Sequence, residues 1–333
     1  MGERNASGLR NKIPSWLWPA LVYAVSIGCL IWVYRDFDWK NELPRLKHIH
    51  WMWILLAVVS DIAVYVCQGW RWSTLLSPVC EAPMWRSVQA IYIGLFANEV
   101  LPFRSGEAIR CYLQSLWSGI SFPVAVSSAL LERFFDGVWL ILGFLLTTLF
   151  LPVQGRMKYG AGVLAVLVAT LALLLLYAVH RRDAAQDWLS KYRWLSVLRH
   201  LVEGLHHMGQ SRSFYAAGGI SFLYLLLQVI PIYAMMRGYG LDHLSFAHAG
   251  AVLVILRLGT MVPGLPGNVG VFNVFAVAAL RVIGIDRQIA KGLSGVMFFV
   301  ITVPLLLAGI LAVASAGVTI RDLQKKARGQ MGS

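Results

Sequence analysis

Residues 87–117 read SVQAIYIGLFANEVLPFRSGEAIRCYLQSLW, and residues 247–282 read AHAGAVLVILRLGTMVPGLPGNVGVFNVFAVAALRV. In each stretch an apolar segment runs into a Gly/Pro break and resumes as a second short apolar segment. Each half is short for a bilayer crossing, which takes ~20 apolar residues. In a membrane this pattern describes a re-entrant hairpin or a discontinuous helix. The plainer alternative is two ordinary helices joined by a tight polar turn in water. The breaks share a pattern, Leu101-Pro102-x-x-x-Gly106 and Leu265-Pro266-x-x-x-Gly270, 164 positions apart.

Around these breaks lie longer apolar runs, at 17–34, 52–76, 134–152, 159–179, 214–236 and 292–318. Each is long enough to span the hydrocarbon core. Composition agrees: of 333 residues, 58% are hydrophobic and 14% charged. Thirteen tryptophans and twelve tyrosines suit interfacial belts, among them Trp16, Trp18, Trp51, Trp53, Trp70 and Trp72. The N-terminal run follows Arg10 and Lys12, as in a signal peptide, but is too long and lacks a small-x-small cleavage site, so it reads as an uncleaved first helix.

The offset that relates the breaks also carries 52–76 towards 214–236, and Ser121 onto Ile285. The expected fold is therefore all-α: a polytopic membrane bundle of about six full spans and two re-entrant hairpins. Its halves, 13–152 and 157–320, form an inverted repeat within a single membrane domain, 1–333. With both termini in the cytoplasm, the first hairpin opens inward and the second outward. Lys and Arg collect on the inner side, at Arg181, Arg182, Lys191, Arg193, Arg199 and Arg212 in one loop and Arg321, Lys325, Lys326 and Arg328 in the tail. Within that loop, 184–210 has apolar residues at helical spacing (Trp188, Tyr192, Leu195, Leu198, Leu201, Leu205, Met208). It describes an amphipathic helix on the cytoplasmic surface, either contacting anionic lipid or simply covering the bundle.

The net charge of +13 lies in short segments between apolar runs. That distribution fits lipid headgroups and topology, with no nucleic-acid partner. Cys29, Cys67, Cys80 and Cys111 lack metal-ligand spacing and suit small buried hydrophobes. No nucleotide-binding, nucleophile-elbow or metalloprotease motif occurs, and neither a metal nor a cofactor is expected.

The charges at the first break carry the chemistry. Glu107 and Arg110 are three apart and share a helix face. Charges at membrane depth are costly unless paired or hydrated. A guanidinium matches a phosphate in bidentate geometry. Arg104 and Arg110 are thus candidate ligands for a lipid phosphate, with Glu107 orienting one of them; alternatively Glu107 and Arg110 form a closed structural pair. Glu132, Arg133 and Asp136 form a second cluster, with the carboxylates at i,i+4. It suits a proton-coupling site, a partner network for Arg104 and Arg110, or a boundary cluster in headgroup water. The second break carries Asn268 and Asn273, with Arg257 upstream. Its glycines Gly264, Gly267 and Gly270 allow close backbone approach to a ligand or to a neighbouring helix.

Asn98-x-x-Leu101-Pro102-x-Arg104-x-Gly106-Glu107-x-x-Arg110, then Glu132-Arg133-x-x-Asp136, then Pro263-x-x-Pro266-Gly267-x-x-Gly270 resemble the lysylphosphatidylglycerol synthase transmembrane, flippase-like family. Trp70-Arg71-Trp72 fits as well. The resemblance implies an inner-membrane protein of bacterial type that moves lipid. It adds Asn98 to the headgroup residues and places Pro266, Gly267 and Gly270 beside Asn268 in the second hairpin's site. This chain has Asn273 where the family often has a Glu, and a short basic tail after Val318 in place of an aminoacyl-transfer domain, so aminoacyl-lipid synthesis is not expected.

Three functions follow as expectations. One is a flippase for an anionic lipid, such as a phospholipid or polyprenyl-phosphate conjugate. Another is a non-transporting lipid-binding partner of an envelope glycosyltransferase or lipid-modifying enzyme. The third, a membrane-embedded transferase with Glu132 and Asp136 as acid and base, has no nucleophile or metal site to support it.

Overall fold

The computed structural model describes residues 17–101, 105–150, 211–260 and 270–317, with isolated positions 162, 166, 169, 170, 173, 208 and 209. Among these residues the regular elements are all α-helices: α1 (Leu17–Tyr34), α2 (Trp39–Lys47), α3 (Trp51–Leu76), α4 (Met84–Val100), α5 (Gly106–Ser118), α6 (Phe122–Phe150), α7 (Arg212–Gly238), α8 (Phe246–Thr260), α9 (Val271–Val282) and α10 (Arg287–Ala316). The apolar runs at 17–34, 52–76, 134–152, 214–236 and 292–318 fall on α1, α3, α6, α7 and α10. The expected span 157–180 and the amphipathic stretch 184–210 lie outside the described residues, apart from the isolated positions.

Among the described residues three helices, α3, α7 and α10, are long and apolar enough to cross a membrane. In α3, Met52, Leu55, Leu56, Val59 and Ile62 are exposed at helical spacing, an apolar face that suits lipid and not water. Its other face buries Ile54, Ala57, Asp61, Val64, Gln68, Arg71 and Leu75, alternating steps of three and four. That stripe packs along α7. In α10 the outward set is Phe299, Val303, Leu307, Ile310 and Leu311. Asp286 caps α10 by accepting the Gln288 N–H at 2.7 Å, and this bond holds its carboxyl below the ordinary range.

One short element has no apolar run behind it. In α2, the Asp38 carboxylate accepts from the Asn41 N–H, Glu42 sits in the first turn, and Arg45 and Lys47 in the last. Capping and dipole complementarity explain this helix where hydrophobic periodicity does not. Glu42 is buried, paired with Arg45 at 3.1 Å and accepting from Tyr239 Oη at 3.2 Å, which ties α2 to the end of α7.

The two broken stretches each give a pair of packed short helices, α4 with α5 and α8 with α9. At 1.5 Å per residue their lengths run from roughly 18 to 25 Å, short of a ~30 Å hydrocarbon core. In the first pair the backbones touch: a Cβ on Gly106 would collide with the Gly94 carbonyl oxygen. The Gly106 N–H donates to Asn98 Oδ1 at 2.8 Å, closing the turn from within. In the second pair, a Cβ on Gly259 would collide with the Phe275 ring. Gly94 also lies against Arg110, and Gly259 and Phe275 follow Gly94 and Arg110 by 165 positions.

The packing pairs also match between halves. α3 packs on α4 and α7 on α8; α5 on α6 and α9 on α10; α4 on α10 and α8 on α6; α3 on α10 and α7 on α6; α3 on α6 and α7 on α10. Exchanging α3–α6 for α7–α10 leaves this set unchanged, and the pair α3–α7 maps onto itself.

Candidate functional site

Six charged side chains from three helices close into a ring of alternating sign. Arg71 comes from the inner stripe of α3, Glu107 and Arg110 from α5, and Glu132, Arg133 and Asp136 from α6. Arg71 Nη1 donates to Asp136 Oδ1 at 2.6 Å, and Arg71 Nη2 to Glu132 Oε1 at 3.1 Å. Arg110 Nη1 donates to Glu132 Oε2 at 2.8 Å and Arg110 Nε to Glu107 Oε2 at 2.9 Å. Arg133 completes the circuit, reaching Glu107 Oε1 at 2.5 Å and Asp136 Oδ2 at 3.3 Å. Three guanidinium groups and three carboxylates sum to zero charge, and each member has a neighbour of opposite sign on both sides.

The ring has a closed side and an open side. Arg71, Glu132 and Arg110 are buried, and the side chains of Glu107 and Arg133 are 43% and 47% exposed. Aromatic faces cover the closed side, with Arg71 4.6 Å from the Tyr224 ring centroid and Arg110 4.8 Å from that of Trp72. Trp72 is fixed by donating Nε1–H to Ser128 Oγ at 2.8 Å, and Arg71 also reaches Ser221 Oγ on α7 at 3.3 Å. The buried half thus has its charges paired and its geometry fixed. At the open half, an arriving anion would compete with Glu107 for Arg133.

Arg110 is therefore bound by Glu107 and Glu132 together, and the 132–136 cluster is its partner network. Asn98 Oδ1 accepts the Gly106 N–H at 2.8 Å. Arg104 lies outside the described residues, as do Pro266, Gly267 and Asn268 of the second break. Gly270 has φ +79°, and a Cβ there would collide with the Ser26 carbonyl oxygen of α1, so close helix packing occupies it. Buried Asn273 accepts from Tyr34 Oη at 3.2 Å, and the same hydroxyl lies 3.2 Å from the Lys291 carbonyl oxygen and from Ser294 Oγ. Arg257 Nη2 donates to Gln228 Oε1 on α7. The second half therefore contributes amides and hydroxyls where the first contributes charges.

Sequence reasoning missed four residues here: Arg71 as the bridge between α5 and α6, Asp61, Gln228 and Lys291. Lys291 is buried on α10, and its Nζ has no hydrogen-bond partner. For Arg71 and Asp61 the available signal was an ionisable residue inside an apolar run, which a windowed hydropathy average hides.

Residues 20–309 match the family model "Lysylphosphatidylglycerol synthase TM region". Two proteins of Methanothermobacter thermautotrophicus, each named "UPF0104 membrane protein", are similar. One is 25% identical over 73% of this chain and 77% of its own length, the other 20% identical over 81% and 86%. No solved structure matches. With its membrane-length helices, its lipid-facing apolar surfaces and a family match across most of its length, the chain is a multi-pass membrane protein that belongs to the lysylphosphatidylglycerol synthase TM-region family.

Proposed function

We propose that the protein moves an anionic, phosphate-bearing lipid, such as a phospholipid or polyprenyl-phosphate conjugate, between the leaflets of the cytoplasmic membrane. In this reading both termini are cytoplasmic, α4–α5 and α8–α9 are re-entrant hairpins, and the halves are inverted about the membrane plane. The observation that carries it is the charge ring, half buried and half open, held between the short helix α5 and the long helices α3 and α6 of a membrane protein. The phosphate docks at the open edge, where Arg133 offers a bidentate donor and Glu107 is the displaceable partner, with Arg104 the second ligand expected from the sequence. The packing set that survives exchange of the halves supports two related gates.

A second reading, a lipid-binding partner of an envelope glycosyltransferase or lipid-modifying enzyme, is favoured by one feature. The ring neutralises its own charges and needs no ligand to be stable. Native mass spectrometry of co-purified lipid, followed by binding to anionic vesicles, tests the shared element of both readings. Arg104→Ala lowers retention of phosphate-bearing lipid while the fold persists, and Arg104→Lys recovers part of it, because lysine keeps the charge but loses the fork. Equal retention by wild type and Arg104→Ala would remove Arg104 from the site.

A further inference from the structure

A second polar site lies on the inner stripe of α3, away from the ring. Asp61 is buried near the middle of this span, and its Oδ2 has no hydrogen-bond partner. Among the described residues no ion pair reaches it. Across from it on α4, the Tyr92 hydroxyl is also buried and unpartnered. Tyr65, one turn on from Asp61, packs edge-on against Tyr92 at 5.5 Å between ring centroids. Two orphaned polar atoms on neighbouring helices therefore share one apolar surrounding.

Among the described residues the charged and titratable groups around Asp61 are few. α3 contributes Tyr65, α4 Tyr92 and α7 Tyr224, while α8 contributes Arg257, the cation that acts on it electrostatically. On α6 the carboxylates Glu132 and Asp136 are engaged by Arg71, ten residues further along α3. The ionisable residues of α10, Arg287 and Lys291, both stand near its start. Arg257 is exposed and bound to Gln228, which itself donates to the Tyr224 carbonyl oxygen at 3.2 Å.

An unpaired carboxylate in such a place is strongly unfavourable, and a neutral carboxylic acid is not. We propose that Asp61 is a proton-binding site whose occupancy is read by Arg257. With the proton on Asp61, Arg257 rests on Gln228, as seen here. When the O–H bond breaks, the proton leaves to water and the electron pair stays on Asp61. Arg257 then exchanges Gln228 for the new carboxylate. Arg257 lies three residues before the end of α8, so the exchange takes place at that helix's last turn. The proton site stands on these residues alone; its role as the coupling ion rests on the transport reading.

Infrared titration of wild-type protein in lipid tests the site without any transport assay. The expected result is a protonated-carboxyl stretch that disappears as pH rises and is missing from Asp61→Asn. In Arg257→Gln the same band persists to higher pH, by about one unit or more, because the cation that favours the charged form is gone. A band unchanged in Asp61→Asn overturns the proposal. If that variant does not fold, an unshifted midpoint in Arg257→Gln overturns it instead. Lipid exchange with and without a pH gradient separates the two claims. Gradient-sensitive exchange in wild type, lost in Asp61→Asn, supports coupling. Gradient-insensitive exchange overturns coupling. No exchange by wild type, with the band still assigned to Asp61, overturns the transport reading and supports the proton site.

Discussion

The pairs α4–α5 and α8–α9 hold corresponding places in the packing of the two halves and are furnished in opposite ways. In the first, Gly94 lies against Arg110, which belongs to a ring of six charges. In the second, the matching Gly259 lies against Phe275, and the polar groups nearby are Asn273, Tyr34 and Ser294. The comparison separates backbone from chemistry. Close glycine contacts occur in both halves, while the ring of paired charges is confined to the half in which α3 and α6 supply counter-charges; in the second half Arg257 and Lys291 have no such ring. A charged hairpin is affordable only where neighbouring helices already present the opposite sign.

The largest test of this difference removes the hub. Glu132 accepts from both Arg71 and Arg110. Glu132→Ala leaves two buried guanidinium groups short of a partner, a loss of ~3–5 kcal/mol. Asn273→Ala in the second half removes one neutral hydrogen bond and costs about 1 kcal/mol. Thermal unfolding in detergent measures both, and equal shifts would remove the distinction between the halves.

The charged clusters were legible in the sequence because Glu107/Arg110 and Glu132/Asp136 each share a helix face at i,i+3 or i,i+4 spacing. Their union was not, because the link is Arg71 on a third helix, and helical spacing says nothing about which helices meet. Arg71 and Asp61 were hidden for another reason: both stand in a run whose average is apolar. Whereas α6 begins twelve residues before the run at 134, the helices α1, α3 and α7 were read to within two residues at each end, since lipid demands unbroken apolar length. The helix α2 was not, since caps and end charges hold it and Pro44 interrupts its pattern. Re-entry of the hairpins is not written in helix length alone, because short helices also end in water.

A smaller effect sharpens the comparison at the crossings themselves. At Gly106 the obstacle to a Cβ is the Gly94 backbone, and at Gly259 it is an aromatic side chain. Gly259→Ala costs ~1–3 kcal/mol as an overpacked contact and is rescued by Phe275→Leu. Gly106→Ala costs more and is not rescued by shortening Arg110, because backbone cannot rotate away. Unfolding midpoints of the single and double variants decide this, and equal rescue at both sites would contradict it.

The smallest expected stability effect is at the ring's open edge. Arg133 is half exposed, so Arg133→Ala costs under ~1 kcal/mol. Its effect is expected instead on binding of anionic vesicles, which weakens while neutral vesicles bind as before. A large loss of stability with unchanged lipid binding would make Arg133 a structural member like Arg71.

Leaflet exchange of a tagged anionic phospholipid in proteoliposomes tests the central claim most directly, with wild type, Arg133→Ala and protein-free vesicles compared at equal lipid composition. Exchange by wild type well above the protein-free rate, and reduced in Arg133→Ala, is the predicted result. Exchange by wild type no faster than in protein-free vesicles, from protein that is folded and retains anionic lipid, would contradict transport and leave lipid binding as the function.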